Sequence, residues 1–243
     1  MREILVRRRR NRSALLSAAL ICAEHWKWPV VPGAGLQPRQ GRRPPRGVRS
    51  LLGLSSLRTR EGAVSTPVPE AVCACPRPDC AVPGAHPQDP GLLAATTDPR
   101  MVRWWWTNRP NAPLVLATGS RVAAVSLPAL AGARALAAFD HVGVRLGPVV
   151  ASPTRFTLLV RPYTLDELGE LLEQHEWVPT SLRYHGGGGY VVLPPSTTGR
   201  GSLCWARPPV ARSTAPWLPS ISSVINTLVM VSSTEPDGSR LAY

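Results

Sequence analysis

Proline sets the first limit on what this chain can fold into. Twenty-seven prolines and 20 glycines are spread through 243 residues, and each proline fixes φ and removes a backbone donor. Long helices and long central strands are excluded wherever prolines fall, so regular elements must be short and much of the chain must be loop. The length allows one domain with a substantial core, or two small ones. A hydrophobic content of 44% is enough for such a core.

Between the prolines the local signals are clear. Ser13 to Lys27 reads as a helix with Leu15, Leu16, Ala19 and Leu20 on one face. Its basic start and apolar run imitate an export signal. The run Ala14 to Ala23 is short, however, Ser17 breaks it, and Ile21 stands before Cys22 where a lipoprotein site needs a small residue. No stretch is long enough to span a bilayer. "WPVVP" reads as a short buried strand. Residues 33–70, rich in Gly, Pro and Arg, have no period and are expected to form a disordered insertion.

Asp98 as N-cap, Pro99 at the first helical position and Pro110 after the end delimit a second helix. Val102, Trp105 and Trp106 should face inward, leaving at most one ring of the Trp triplet exposed. "APLVLATG" and "RVAAVSLP" are strands, "LAGARALAAFDHVG" is a helix closed by Gly143, and "VRLGPVVAS" and "RFTLLVRP" are further strands. Thr164 and Glu167 form a capping box for a helix expected to bury Leu165, Leu168, Leu171 and Leu172. "SLRYHGGGGYVVLPPS" reads as a hairpin with a glycine turn, "SLCWARP" as a strand, and Ile221, Val224, Ile225, Leu228 and Val229 as the face of a last helix. The alternation gives an α+β or α/β class. The expected organisation is a basic arm over 1–12, one domain over 13–232 and a flexible tail over 233–243.

Charge is distributed unevenly. Residues 1–60 hold 14 Arg/Lys against Glu3 and Glu24, a net of +12, whereas residues 61–243 have a net of +1. An arm carrying Arg7, Arg8, Arg9 and Arg10 suits a polyanion, most simply nucleic acid or an anionic membrane surface. Five cysteines, three of them clustered, fit metal ligation in a reducing, cytoplasmic setting better than a disulfide framework. The spacing Cys73-x-Cys75-x4-Cys80-x5-His86 supplies three thiolates and an imidazole, which suit tetrahedral zinc in a closed, structural site.

The acids are as informative as the bases. Between residues 99 and 234 the only ones are Asp140, Asp166, Glu167, Glu170, Glu173 and Glu176, and the last five lie on or next to the capping-box helix. Two-metal chemistry needs carboxylates converging from a rigid sheet, and the strands here carry none. The remaining histidines are scattered, and no serine stands in a nucleophile-elbow context.

Several segments in order, "AEHWKWPVVP", the Cys/His cluster running into "PGAHP", "LAATTDPRMVRWWWTNRPNAPLVLATG" and "LRYHGGGGYVVLPPS…GSLCW", resemble the N-terminal domain of bifunctional DNA primase/polymerases. This is the Prim-Pol domain of the archaeo-eukaryotic primase superfamily. The resemblance runs from about Ala14 to Trp217 without the 33–70 segment. It implies an RRM-like core with a mixed or antiparallel sheet packed by helices, template-directed nucleotidyl transfer, Mg²⁺ or Mn²⁺, and DNA as partner.

The departures fall on the family's catalytic positions. Where the family carries an Asp-x-Asp pair, this chain reads "VAAVSLPALAG" with Ser126 in the region. Where it carries a Gly-Gly-Arg-His-type stretch, the chain reads "SPTRFTLLV" and keeps only the cation of Arg155. A later metal-binding Asp is replaced near Ser181. The reading is therefore a Prim-Pol-like protein without the catalytic carboxylates, binding nucleic acid or nucleotide in a regulatory role, with Arg155, Arg183 and the N-terminal arginines on phosphate. The alternatives are an active polymerase with a rearranged site built on Asp140 and the helix acids, or a protein-interaction module with a structural zinc knot.

Overall fold

The computed structural model describes residues 12–38, 71–210 and 215–233. Arg7 to Arg10, the 39–70 stretch and the tail from 234 lie outside the described residues. A first helix, α1 (12–20), widens into a π-turn over Ile21–His25 and buries Leu15, Ala19, Cys22 and Ala23. Then follow β1 (Val30–Pro32), β2 (Leu36–Pro38), β3 (Ala71–Cys73), α2 (Pro99–Asn108), β4 (Leu114–Ala117), β5 (Ala123–Pro128) and α3 (Ala129–Val142). The second half holds β6 (Val149–Ala151), β7 (Arg155–Val160), α4 (Leu165–Leu172), β8 (Arg183–His185), β9 (Tyr190–Leu193), the small β10 (Thr197–Thr198) and β11 (Gly201–Ser202), β12 (Cys204–Arg207) and α5 (Ile225–Ser233).

Two antiparallel sheets organise the α+β fold. One has the order β1-β4-β9 and the other β12-β6-β7-β5-β8. The period of two along β5 assigns its faces. Ala123, Val125 and Leu127 join the core under α3, α4 and α5, together with Leu158, Val160, Leu168, Ile221 and Leu228. Ala124 joins the other core, built with Val31, Trp106, Leu116 and Leu193 around α1 and α2. Close packing is visible at Gly132 of α3, where a Cβ would lie 2.5 Å from Phe156 Cβ.

The helix signals operate as read. The Asp98 carboxylate accepts from the Arg100 N–H at 2.8 Å, and Val102, Trp105 and Trp106 are buried while Trp104 is 60% exposed. Thr164 Oγ1 accepts from the Glu167 N–H at 3.0 Å, and Gly143 closes α3 at φ +69°. In α4, Leu168 is buried, but Leu165 is 82% exposed. Leu165 begins the helix, and that first turn projects beyond the core.

The expected hairpin over residues 181–196 does not form. β8 pairs with β5 in one sheet and β9 with β4 in the other, so Gly186 to Gly189 carry the chain between sheets. The β4–β5 connection crosses beside them. Gly119 there has φ +110°, and a Cβ on it would lie 2.4 Å from Gly187 Cα. Only glycines tolerate this approach. β2 lies inside the stretch read as an insertion and pairs with β3, so residues 36–38 belong to the fold. No helix among the described residues is long and apolar enough to cross a membrane.

Candidate functional site

The face of the five-stranded sheet turned away from α3 floors a cleft of about 640 Å³. β5 contributes Ser126 and Pro128, β7 contributes Arg155 and Thr157, and β8 contributes Arg183 and His185. The two β8 residues share a face because they are two positions apart. Val82, Pro83 and Ala85 of the Cys/His loop form the opposing wall, with Tyr190 and Arg200 closing the sides. The Gly199 N–H donates to Pro83 O at 2.8 Å, which ties that wall to the β10–β11 turn.

Arg155 is the best-held group in the cleft. Its Nη2 donates to Ser126 O at 2.7 Å and to Ser181 O at 2.8 Å, and its Nε and Nη2 lie 3.3 and 3.2 Å from Ser126 Oγ. His185 Nε2 is 3.0 Å from the same Oγ. With Arg155 donating onto Oγ, the Ser126 hydroxyl is free to turn its proton toward Nε2 of a neutral His185.

The electrostatics favour a neutral imidazole. Burial, then Arg155 and Arg183, push His185 down to about 4. Burial, then repulsion from Arg183 and Arg200, push Arg155 down to about 10, which leaves it charged at neutral pH. Among the described residues, none that lines the cleft is Asp or Glu. Three guanidiniums repel one another there, and an anion among them would relieve the repulsion. Hard divalent cations take oxygen ligands, carboxylates first. This donor set does not fit a Mg²⁺ or Mn²⁺ pair.

The Cys/His loop is the opposite case. Pairing of Leu36 with Cys73 across β2 and β3 places the first thiol, and the Ala34 N–H bonded to His86 O at 2.8 Å places the last ligand. The donor atoms of Cys73, Cys75, Cys80 and His86 all lie within 4.8 Å of one another. His86 Nε2 is 3.3 Å from Cys73 Sγ and 3.4 Å from Cys80 Sγ, close to the roughly 3.5 Å edge of a tetrahedral thiolate–imidazole site. His86 Nδ1 donates to Pro87 O at 2.9 Å, which leaves Nε2 free as a ligand. Burial raises the Cys73 thiol, but hydrogen bonds from the Gly84 and Cys75 N–H groups and from the Cys75 and His86 side chains bring it down to about 6. The four residues fit a metal ion, held as a closed site.

The structure thus gathers Cys73, Cys75, Cys80 and His86 at one point and Arg155 and Arg183 at another, while Arg7 to Arg10 lie outside the described residues. Asp140 pairs with Arg207, and neither it nor the acids of α4 lines the cleft. His185 and Arg200 were not anticipated. The spacing of Arg183 and His185 on one strand was a usable signal for the first. Nothing local marks Arg200, which enters from the β10–β11 turn.

No curated protein and no solved structure matches the chain. Residues 19–219 match the family model described as bifunctional DNA primase/polymerase, N-terminal. That span runs from the last residues of α1 to the segment before α5, with both sheets, the cleft and the Cys/His loop inside it, and the chain belongs to the Prim-Pol family.

Proposed function

We propose that this Prim-Pol domain binds nucleic acid or nucleotide through a cleft whose cations are its own side chains, and that it does not polymerise. One observation carries the reading: the Arg155 guanidinium spans Ser126 and Ser181. In the family resemblance, these are the two neighbourhoods that supply metal-binding carboxylates. A fixed organic cation stands between them, with Arg183 and Arg200 nearby. Such a cluster attracts phosphate but lacks the metal clamp that stabilises a transferring phosphoryl group.

Zinc at Cys73, Cys75, Cys80 and His86 would hold the wall opposite Arg155, a structural rather than chemical role. A metal site of three thiols and an imidazole supports a reducing, cytoplasmic setting. DNA is the partner in view, and the charges of Arg7 to Arg10 would add to the attraction for phosphate.

Binding to DNA measured across salt concentrations tests the reading. Affinity should fall steeply with salt, and primer extension with Mn²⁺ should give no product. A template-dependent product supports the active-polymerase alternative and removes this one. Absence of DNA binding at low ionic strength also removes it.

A further inference from the structure

A second cavity, of about 670 Å³, opens at the opposite ends of β5 and β7. Arg121 precedes β5, Arg161 follows β7, and Arg145 lies between α3 and β6. Trp26 and Trp217 supply indole surface to the same wall, with Trp28 buried behind Trp26. At about 3.3 Å per strand residue, Arg121 is roughly 23 Å from Pro128 at the cleft. The two sites are separate.

Its chemistry is specific. The Arg145 guanidinium carbon lies 4.3 Å from the centroid of the Trp217 ring, a ring left 45% exposed. Trp26 and Trp28 meet edge to face with centroids 4.8 Å apart. Arg121, Arg145 and Arg161 are all exposed. Among the described residues no carboxylate lines this cavity. Glu167 lines a smaller adjoining cavity with Arg161, without an ion pair between them among the described residues.

Indoles and guanidinium planes stack on bases, and guanidiniums fork onto phosphate. An acidic peptide would use the charges but leave the indoles idle. A duplex keeps its bases stacked away from them. We infer that this cavity is a second nucleic-acid site that takes an unpaired base of a single strand against Trp217 and its stacked Arg145, with the flanking phosphates on Arg121 and Arg161. The inference stands on this cavity alone and does not need the cleft to bind anything.

Fluorescence polarisation with a labelled oligothymidylate tests it on the full chain. The double variant Arg121→Glu/Arg161→Glu should weaken binding more than about 10-fold and flatten the log–log salt dependence by about 1.4, for two phosphates. Both changes should persist when Arg155→Met and Arg183→Met are already present. These arginines are exposed, so folding should be unchanged, and a thermal melt checks this. Trp217→Ala should weaken binding roughly 5- to 150-fold, with Trp217→Phe retaining much of it. A bromodeoxyuridine-substituted oligonucleotide should crosslink to the peptide containing Trp217.

Unchanged affinity and slope in a folded Arg121→Glu/Arg161→Glu variant would overturn the inference. So would crosslinks confined to the cleft, or equal competition by polyglutamate. Loss confined to the Arg155 and Arg183 variants would sink this site and leave the cleft standing. Loss confined to the Arg121 and Arg161 variants would do the reverse.

Discussion

The Cys/His loop and the sheet cleft meet at Pro83, and they hold opposite chemistries. On one side four soft donors converge within 4.8 Å, with the imidazole oriented by a backbone carbonyl. On the other side, where the family resemblance places hard-metal carboxylates, the sheet offers Ser126, Thr157 and His185 around three arginines. A fold can keep a metal that braces a loop while its reaction site changes charge, because the two depend on different contacts. The loop needs its own ligands, the strand Leu36–Pro38 and the Ala34 amide that holds His86. The cleft needs charge complementarity, and on the proposed reading the complement is an anion.

The contrast can be broken most forcefully at the loop. Cys75→Ser should reduce bound zinc below about half an equivalent and lower the Tm by roughly 10 °C, since structural zinc contributes several kcal/mol or more to folding. Metal analysis and calorimetry read the two effects. The cleft wall at Pro83 should loosen with the loop, so anion affinity should fall as well.

The next effect is at Arg155. Arg155→Met removes the guanidinium that links Ser126 O to Ser181 O, at a cost of about 1–3 kcal/mol. It should also lower triphosphate affinity more than about 10-fold. Denaturant unfolding and titration calorimetry separate the stability effect from the binding effect. If affinity is unchanged in a folded Arg155→Met protein, the cation cluster is not the binding element.

The smallest effect sharpens the electrostatic half of the contrast. His185 is pushed down from 6.5 to about 4. The unfolded chain therefore binds the extra proton between those values and the native state does not. Stability from this group is fully present above pH 6.5 and is lost as pH falls toward 4, by roughly 2–3 kcal/mol. Stability measured against pH should show that fall, and His185→Gln should flatten it. An anion in the cleft offsets the repulsion from Arg155 and Arg183 and narrows the gap between the native and unfolded values, so ligand should make the fall smaller.

What could be read from the chain was whatever a few adjacent residues decide. Asp98–Pro99, the Thr164/Glu167 box and Gly143 each set a helix end through local hydrogen bonds or a permitted φ, and each appears in the structure. Residues 181–196 resisted, because strand partners are chosen by distant segments. The glycine run that permits a hairpin also permits a passage between sheets, and Gly119 packed on Gly187 decides for the passage. Ligand identity at the Cys/His loop was legible from spacing. Convergence was not, since it rests on β2 meeting β3 across more than thirty intervening residues. Arg155 and Arg183 were marked by their charge on strand segments. The hold of Ser181 on Arg155, and the arrival of Arg200, depend on loops whose course no periodicity reports.

Titration calorimetry of a deoxynucleoside triphosphate into the zinc-loaded protein, in buffer freed of Mg²⁺ and Mn²⁺ by a chelating resin, is the most direct test of a cleft that carries its own cations. The predicted result is saturable binding without divalent metal, weakened or unchanged when Mg²⁺ is added, and weakened more than about 10-fold by Arg155→Met. Binding that appears only with added Mg²⁺ or Mn²⁺ would contradict it.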